Sequence, residues 1–386
     1  MNTARIAVIG AGPGGLAAAR GLQINGFDVT VIEREASASA RWQGGMLDLH
    51  APTGQEAMRA LGLYEQFRAV ARADAQEVRM VNATSGELVN HQQPGEDEYY
   101  APEIDRGQLR ELLLNSLKPS TVRWGSPIEG VSAEAGIATV RFTDGATEQF
   151  DLVVGADGAW SRTRPAVSSV APVYTGAALV ETYLDDVDNR HPELAELIGP
   201  GNLVVGAGTA GMLAAQRNSG GHVRVYAELE DIPLDWAGEA GIDMADTDAV
   251  RRYLMGRFEG WHDRVLDLIR ENDGGFINRP LYVLPTGHSW AHVPGVTLLG
   301  DAAHLLPPHG IGANLALIDG SDLAAAIAAH TDLDQGVRAY EAIMLPRAKA
   351  AGEADEEIAA LMENAEAQNV NEVRQLLNER MLNPAK

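Results

Sequence analysis

Cysteine is absent from all 386 residues. That removes disulfides, thiolate metal sites, iron–sulfur clusters and redox-active dithiols together, and it fits a reducing, cytoplasmic setting. No run of about eighteen apolar residues is free of charge, which argues against a membrane-spanning helix. Met1 to Ile9 carries a single Arg and runs straight into a glycine-rich turn, so it reads as a buried strand and not as a targeting segment. Basic residues are outnumbered, 30 Lys and Arg against 54 Asp and Glu. The resulting net charge of −24 repels nucleic acid and anionic membrane at long range. A small neutral or cationic substrate is compatible with it, and the spread of acids along the chain reads first as solubility. No internal repeat and no long disordered segment stands out, no metal site is expected, and the chain is expected to be a monomer or weak dimer.

What is present begins with Arg5-Ile6-Ala7-Val8-Ile9, a helical stretch from Leu16 to Ile24, and the β-branched run Asp28 to Ile32. Strand, helix and strand at this spacing start a doubly wound parallel sheet. Between the first two lies Gly10-Ala11-Gly12-Pro13-Gly14-Gly15. In G-x-G-x-x-G the first glycine makes the turn, the second admits a pyrophosphate to the backbone, and the third lets helix and strand pack closely. The helix start then offers N–H groups and a favourable dipole to the anion. Glu33 closes the second strand, where it can accept hydrogen bonds from an unphosphorylated ribose, which suits FAD or NAD better than NADP.

Further along, Leu109 to Leu117 reads as a helix, followed by hairpin-like strands near Thr121–Trp124 and Ala138–Phe142 with Asp144-Gly145 as a turn. From about Tyr174 to Leu284 short alternating strands precede a helix at Thr247–Phe258, the pattern of an inserted antiparallel sheet with one apolar face. The parallel-sheet signal returns at Val296 to Leu299, followed by a Pro/Gly loop and a helix from about Leu315 to His330. The tail from Asp334 reads as helix interrupted at Pro346, with Ile358, Leu361, Met362 and Ala365 on one apolar face. Met344, Met362 and Met381 are read as helix packing.

The expected architecture is α/β. A Rossmann-like dinucleotide-binding domain, for FAD or NAD, spans 1–72, 95–172 and 280–333; an inserted mixed or antiparallel sheet for substrate spans 73–94 and 173–279; a bridging C-terminal helix spans 334–386.

Two more segments narrow the cofactor. Leu152 to Gly155 is an apolar strand leading to Asp157-Gly158 and Ser161-Arg162-Thr163-Arg164, whose arginines suit phosphates of an electron donor or nearby acids. Gly300-Asp301-Ala302-Ala303-His304 ends another strand and leads to Pro307-Pro308-His309-Gly310-Ile311-Gly312-Ala313-Asn314. A carboxylate at the end of a strand can hold a ribityl hydroxyl, and a glycine loop with a helix start can present N–H groups to a flavin.

These three segments, in this order from residue 5 to 323, resemble the class A flavoprotein monooxygenases of the p-hydroxybenzoate hydroxylase type. Gly44 to His50, Gly54 to Met58 and Pro102 to Arg106 resemble the tetracycline-inactivating members. The resemblance implies that Gly10, Gly12, Pro13, Gly14, Gly15, Glu33, Arg34, Arg41, Asp48, Arg106, Asp157, Gly300, Asp301, Pro308, Gly310, Gly312, Ala313 and Asn314 contact FAD.

It further implies that NADPH or NADH, bound transiently, reduces FAD. Reduced flavin then reacts with O2, and a C4a-hydroperoxide delivers oxygen to a polycyclic or aromatic substrate. No catalytic side chain beyond the flavin is required. His304, His50 and His309 are read as packing groups and not as bases.

The substrate block is less alike. Leu203 stands where the tetracycline enzymes carry arginine, Arg224 where they carry histidine, Ala214 for phenylalanine and Glu181 for glutamine; Pro307 and His309 complete the substrate-facing set. Arg224 has two open readings, a grip on an anionic substrate or an ion pair. The flavin loop is one residue shorter than the family pattern, with His309 alone between Pro308 and Gly310. The rival functions are an FAD dehydrogenase or reductase of this fold, and a non-catalytic flavin- or antibiotic-binding protein. The lack of a Trp-x-Trp-x-Ile-Pro segment argues against a flavin halogenase.

Overall fold

The computed structural model describes residues 4–40, 44–95, 99–206 and 211–363. Five strands form a parallel sheet in the order Val296–Leu298, Leu152–Gly155, Arg5–Ile9, Asp28–Ile32, Val122–Arg123. Side chains alternate across it, so both faces need a cover. Ile6, Val8, Val31 and Val154 pack with Leu16, Leu22, Leu323, Tyr340 and Met344 from the helices. Ala7, Ile9, Ile32, Val153 and Val296 face a small antiparallel sheet through Ala138, Val140 and Phe150. Burial on both sides is why these strands read as unbroken apolar runs.

A seven-stranded sheet stands apart, in the order Ile277–Val283, Val173–Leu184, Val223–Leu229, Leu213–Arg217, Asn202–Val205, Val78–Val81, Leu88–Gln92. One face carries Val180, Val225, Ala227, Leu213, Ala215, Leu203 and Val205, buried with residues of the helices Pro192–Ile198, Thr247–Arg257 and Asp263–Arg270. The other face is polar along its centre. Alternation therefore sorts this sheet into a core side and a working side.

Two expectations are corrected. Val122–Arg123 is not a hairpin partner of Ile137–Phe142; it pairs in parallel with Asp28–Ile32. Ile137–Phe142 instead forms its hairpin with Thr147–Phe150 around Gly145, whose φ is +87°. The C-terminal helix also does not break at Pro346, but runs from Leu333 to Glu363. An interior proline costs a helix about 3 kcal/mol. Here the turns on either side are pinned by buried Tyr340, Met344, Ala348 and Ala351, and tertiary packing outweighs that penalty. The side chains of Ile358, Leu361 and Met362, with Ala365 and Met381, lie outside the described residues.

Candidate active site

The carboxyl ends of the parallel strands gather the three glycine-bearing segments. Gly10 ends the first strand with φ +106°, and a Cβ there would lie 2.4 Å from the Ala156 carbonyl oxygen. A Cβ on Gly15 would lie 2.2 Å from the Gly10 oxygen. Gly12 differs, because a Cβ there would meet nothing within 4 Å. Gly10 and Gly15 are thus glycine for the protein's own packing, whereas Gly12 borders open space at the start of the helix Pro13–Ile24. Gly14 packs on Leu299 and Ala316 of the third segment.

Glu33 is buried, and its two carboxylate oxygens accept N–H groups of Ala11 at 2.6 Å and Glu35 at 2.8 Å. Each oxygen keeps a second lone pair for a ribose, so the residue holds the turn as well as facing it. Arg34 is exposed nearby, and Arg41 lies outside the described residues. Sequence reading missed Arg110, one helical turn after Arg106. Its buried guanidinium donates to the carbonyls of Ala11 and Ala38 and to Glu35 Oε2. Its signal was present in the Arg106-x-x-x-Arg110 spacing.

The Asp-Gly segment is organised from within. Asp157 accepts from Ser161 Oγ at 2.6 Å and from the N–H groups of Arg162 and Thr163 at 2.7 and 3.1 Å. Arg164 is buried and donates to the carbonyls of Ala159, Ala302 and Asp301. It is a tie between the second and third segments, not a ligand for donor phosphates; Arg162 remains exposed.

Asp301 sits on the floor of the cleft. Its surface is open to solvent, yet protein encloses it closely enough that burial pushes its carboxyl pKa up, opposed in part by His304, Arg106 and Arg164. Those two properties together describe a recessed, reachable group. A Cβ on Gly312 would lie 3.8 Å from Asp301 Oδ1, and one on Gly310 would lie 3.5 Å from Asp48 Oδ1. Asp301 and Asp48 therefore flank the loop through Pro308 and Gly310 and the start of the helix Gly312–Ala329, where Ala313 lies half-buried. Arg106 begins its helix with its N–H donating to Gly45 O at 3.1 Å.

Asn314 is fully buried, and its amide is spent on the protein. Oδ1 accepts from the His50 N–H at 2.8 Å, and Nδ2 donates to the carbonyls of Asp48 and Gly310 at 2.8 and 3.2 Å. Behind Gly300, buried Asp319 accepts the Gly300 N–H at 3.0 Å, pairs with His304 Nε2 at 2.6 Å and with Arg347 at 3.0 Å. His304 is thus a structural group in a buried network that fixes the Gly300-Asp301 backbone.

Facing this cleft, the polar side of the seven-stranded sheet carries Glu181, Arg224, Tyr226 and Gln216. A Cβ on Gly45 would lie 2.7 Å from both Tyr226 Oη and Gln216 Oε1, which brings the sheet against the flavin-domain segment. Burial, with Glu181 adding to it, pushes the Tyr226 phenol up to about 12. Buried Glu181 pairs with Arg224 at 2.8 Å and Arg279 at 2.5 Å. Of the two readings of Arg224, the structure shows the ion pair.

Ala214 lies opposite Tyr226 and Val204 on the same face. Pro307 is half-buried, and His309 hydrogen-bonds Asp355 Oδ1 at 2.6 Å, a bond that raises its pKa. Leu203 is not brought to this face. It is wholly buried in the apolar core, because its neighbours in the alternation, Asn202 and Val204, take the working side.

The model of the FAD binding domain family matches residues 3–198 and 291–355. The chain belongs to this family of class A flavoprotein monooxygenases. It is an FAD-dependent monooxygenase of α/β fold. It is 30% identical to monooxygenase penA of Penicillium thymicola over 90% of this chain and 92% of that one. It is 31% identical to 3-amino-4-hydroxybenzoate 2-monooxygenase of Streptomyces cremeus over 89% and 84%. Among solved structures, Klebsiella pneumoniae HpxO with FAD and uric acid superposes with a TM-score of 0.78 at 23% identity, covering 99% of this chain and 95% of that one. Tetracycline destructase Tet(55) superposes at 0.74 and 21% identity, covering 99% and 97%.

The position of Leu203 gives this flavoenzyme a direct test. Leu203→Arg, the residue the tetracycline enzymes carry at the aligned site, would place a charge in the sheet core. Loss of folded, soluble protein is the expected outcome, since an unpaired buried charge costs several kcal/mol. A soluble L203R protein with an unchanged unfolding midpoint and new tetracycline affinity would show that residue 203 faces the cleft after all. Among the described residues no helix is long and apolar enough to cross a membrane.

Proposed function

We propose that this monooxygenase hydroxylates a polycyclic or aromatic small molecule of polyketide or tetracycline-like character, with electrons from NADPH or NADH and oxygen from O2. The observation that carries the reading is the pairing of two surfaces: an enclosed but reachable Asp301 beside a glycine loop and helix start, and a polar sheet face across from it.

FAD fits the first surface. The space beside Gly12 and the N–H groups of the following helix would hold its pyrophosphate, and Glu33 its adenosine ribose. Asp301 would hold the ribityl chain, with Arg34, Arg41, Asp48 and Arg106 as further contacts. When bound, FAD supplies the electron transfer and the oxygen activation. The chain's residues would supply position and charge: the N–H groups at 310–314 would face an anionic ring, where fixed donors stabilise developing charge. The Asp157-Gly158 segment would meet FAD and the transient donor through its backbone, because its carboxylate is committed to its own turn. Residues 73–94 and 173–279 would form the substrate domain, whose edge strand Ile277–Val283 runs past the expected boundary; 1–72, 95–172 and 280–333 would form the FAD domain, and 334–386 a bridging helix.

Two features support a ring-shaped substrate: the name of the Streptomyces relative and the extent of the sheet face. The test combines donor oxidation, oxygen uptake and product mass across a panel of small polyketides and hydroxybenzoates. A product heavier by one oxygen with matched oxygen uptake supports the proposal. Donor oxidation with unchanged product mass would make it a dehydrogenase, and a bound flavin that neither donor reduces would make it a binding protein.

A further inference from the structure

We infer that Arg279 is the anchor for a negatively charged group of the substrate, so that this site takes carboxylates, phenolates or enolates in preference to their neutral analogues. The inference rests on the reading of the polar sheet face as the substrate surface.

Glu181 is buried between two guanidiniums, Arg224 at 2.8 Å and Arg279 at 2.5 Å. The two arginines differ in what remains to them. Arg224 is itself buried and lies against the Tyr183 ring. Arg279 is 53% exposed on the edge strand Ile277–Val283 and, among the described residues, hydrogen-bonds through Nε alone. Its two terminal nitrogens are left for a ligand. Glu181, locked in the sheet, fixes the direction of the fork, so little side-chain freedom is lost when a carboxylate or enolate arrives. One carboxylate shared by two guanidiniums leaves this trio with one net positive charge.

The surroundings suit a ring bearing that anion. Leu179 is directly across from Arg279 and the exposed Ile277 precedes it on the same side of the strand. Glu228 is one strand further on, opposite Leu179, and its carboxyl pKa is pushed up by burial and by Glu230, with His309 opposing. The chain's net charge of −24 favours neutral or cationic ligands at long range. That field is screened beyond about 8 Å at physiological ionic strength, whereas a guanidinium at contact distance is not. Local pairing decides.

The experiment is equilibrium dialysis of two isosteric probes, 3-hydroxy-2-naphthoate and 3-hydroxy-2-naphthamide, against the FAD-loaded protein. The anion is expected to bind about tenfold more tightly, as a charge-assisted bidentate contact requires. In R279Q that preference falls to within about twofold while amide affinity stays unchanged; in R279K it is partly kept, because an ammonium attracts without forking. Equal binding of both probes to the wild-type protein overturns the inference, as does an undiminished preference in R279Q. Flavin content is read separately by absorbance. A yellow protein indifferent to probe charge removes the anchor and leaves the flavin reading. A colourless protein that still prefers the anion removes the flavin reading and leaves the anchor.

Discussion

Gly12→Val is expected to leave the apoprotein folded and to weaken FAD binding by at least about 100-fold. Valine tolerates the extended backbone at this position, φ −79° and ψ 173°, and its Cβ meets no protein atom within 4 Å. What it fills is the space where the pyrophosphate would contact helix N–H groups. Hydrogen bonds to a charged group contribute roughly 1.5–3 kcal/mol each, so losing one or two accounts for that factor. Gly15→Val is expected to behave in the opposite way. Its Cβ would sit 2.2 Å from the Gly10 oxygen, an overlap that only a backbone shift can relieve, so it lowers the unfolding midpoint of the apoprotein itself. Thermal unfolding without FAD and a flavin fluorescence titration separate the two. A G12V protein that takes up FAD normally would show that this space is not the phosphate site.

The second large effect concerns the buried network behind Asp301. Arg347→Met removes a cation from two acids at once: Asp319 at 3.0 Å, with its side chain 1% exposed, and Asp322 at 2.6 Å. Removing one partner of a buried pair costs up to about 3–5 kcal/mol; His304 and the Gly300 N–H still hold Asp319, so a loss of a few degrees in unfolding midpoint is expected.

The same network fixes a pH dependence. Burial alone would raise the Asp319 carboxyl, but the charge and hydrogen bond of His304, Arg347 and the Gly300 N–H bring it below its ordinary 3.8. Its contribution is present above 3.8 and is lost as pH falls through the depressed value. Burial alone would lower His304, and Asp319 lifts it above its ordinary 6.5. That contribution is complete below 6.5 and is lost as pH rises through the elevated value. His304→Gln is therefore expected to flatten the decline in stability above pH 6.5 and to weaken the acid limb as well, because Asp319 loses the partner that does most to hold its carboxyl down. An unaltered alkaline limb in H304Q would show that His304 is uncharged in the folded protein.

Residues that act through local geometry were readable. The spacing of Gly10, Gly12 and Gly15 with Glu33 encodes a turn between a strand and a helix, which depends on neighbours in the chain. Residues that act across the fold were not. Asp319 stands as one acid within Leu317-Ile318-Asp319-Gly320, a hint of a buried charge, but its partners His304 and Arg347 come from elsewhere. Arg164 reads as a partner for donor phosphates or nearby acids, whereas its guanidinium ties three carbonyls from two segments. Asn314 is read as a cofactor contact, and what the sequence does not show is that its side-chain amide ties the loop to Asp48 and His50.

The substrate face shows the division most clearly. Short strands reveal that a sheet exists, but a shift of one residue exchanges its two faces. Pairing alone placed Leu203 inward and Ala214, Tyr226 and Arg224 outward. From its residues alone, this chain declares an α/β dinucleotide fold and the turn that would grip a phosphate, because both follow from short-range sterics and hydrophobic periodicity. The tertiary structure decided which charges are partnered and which side of the second sheet faces the cleft, because burial and ion pairing depend on residues brought together from distant parts of the chain, as Glu181 is with Arg279 and Asp48 with Asn314.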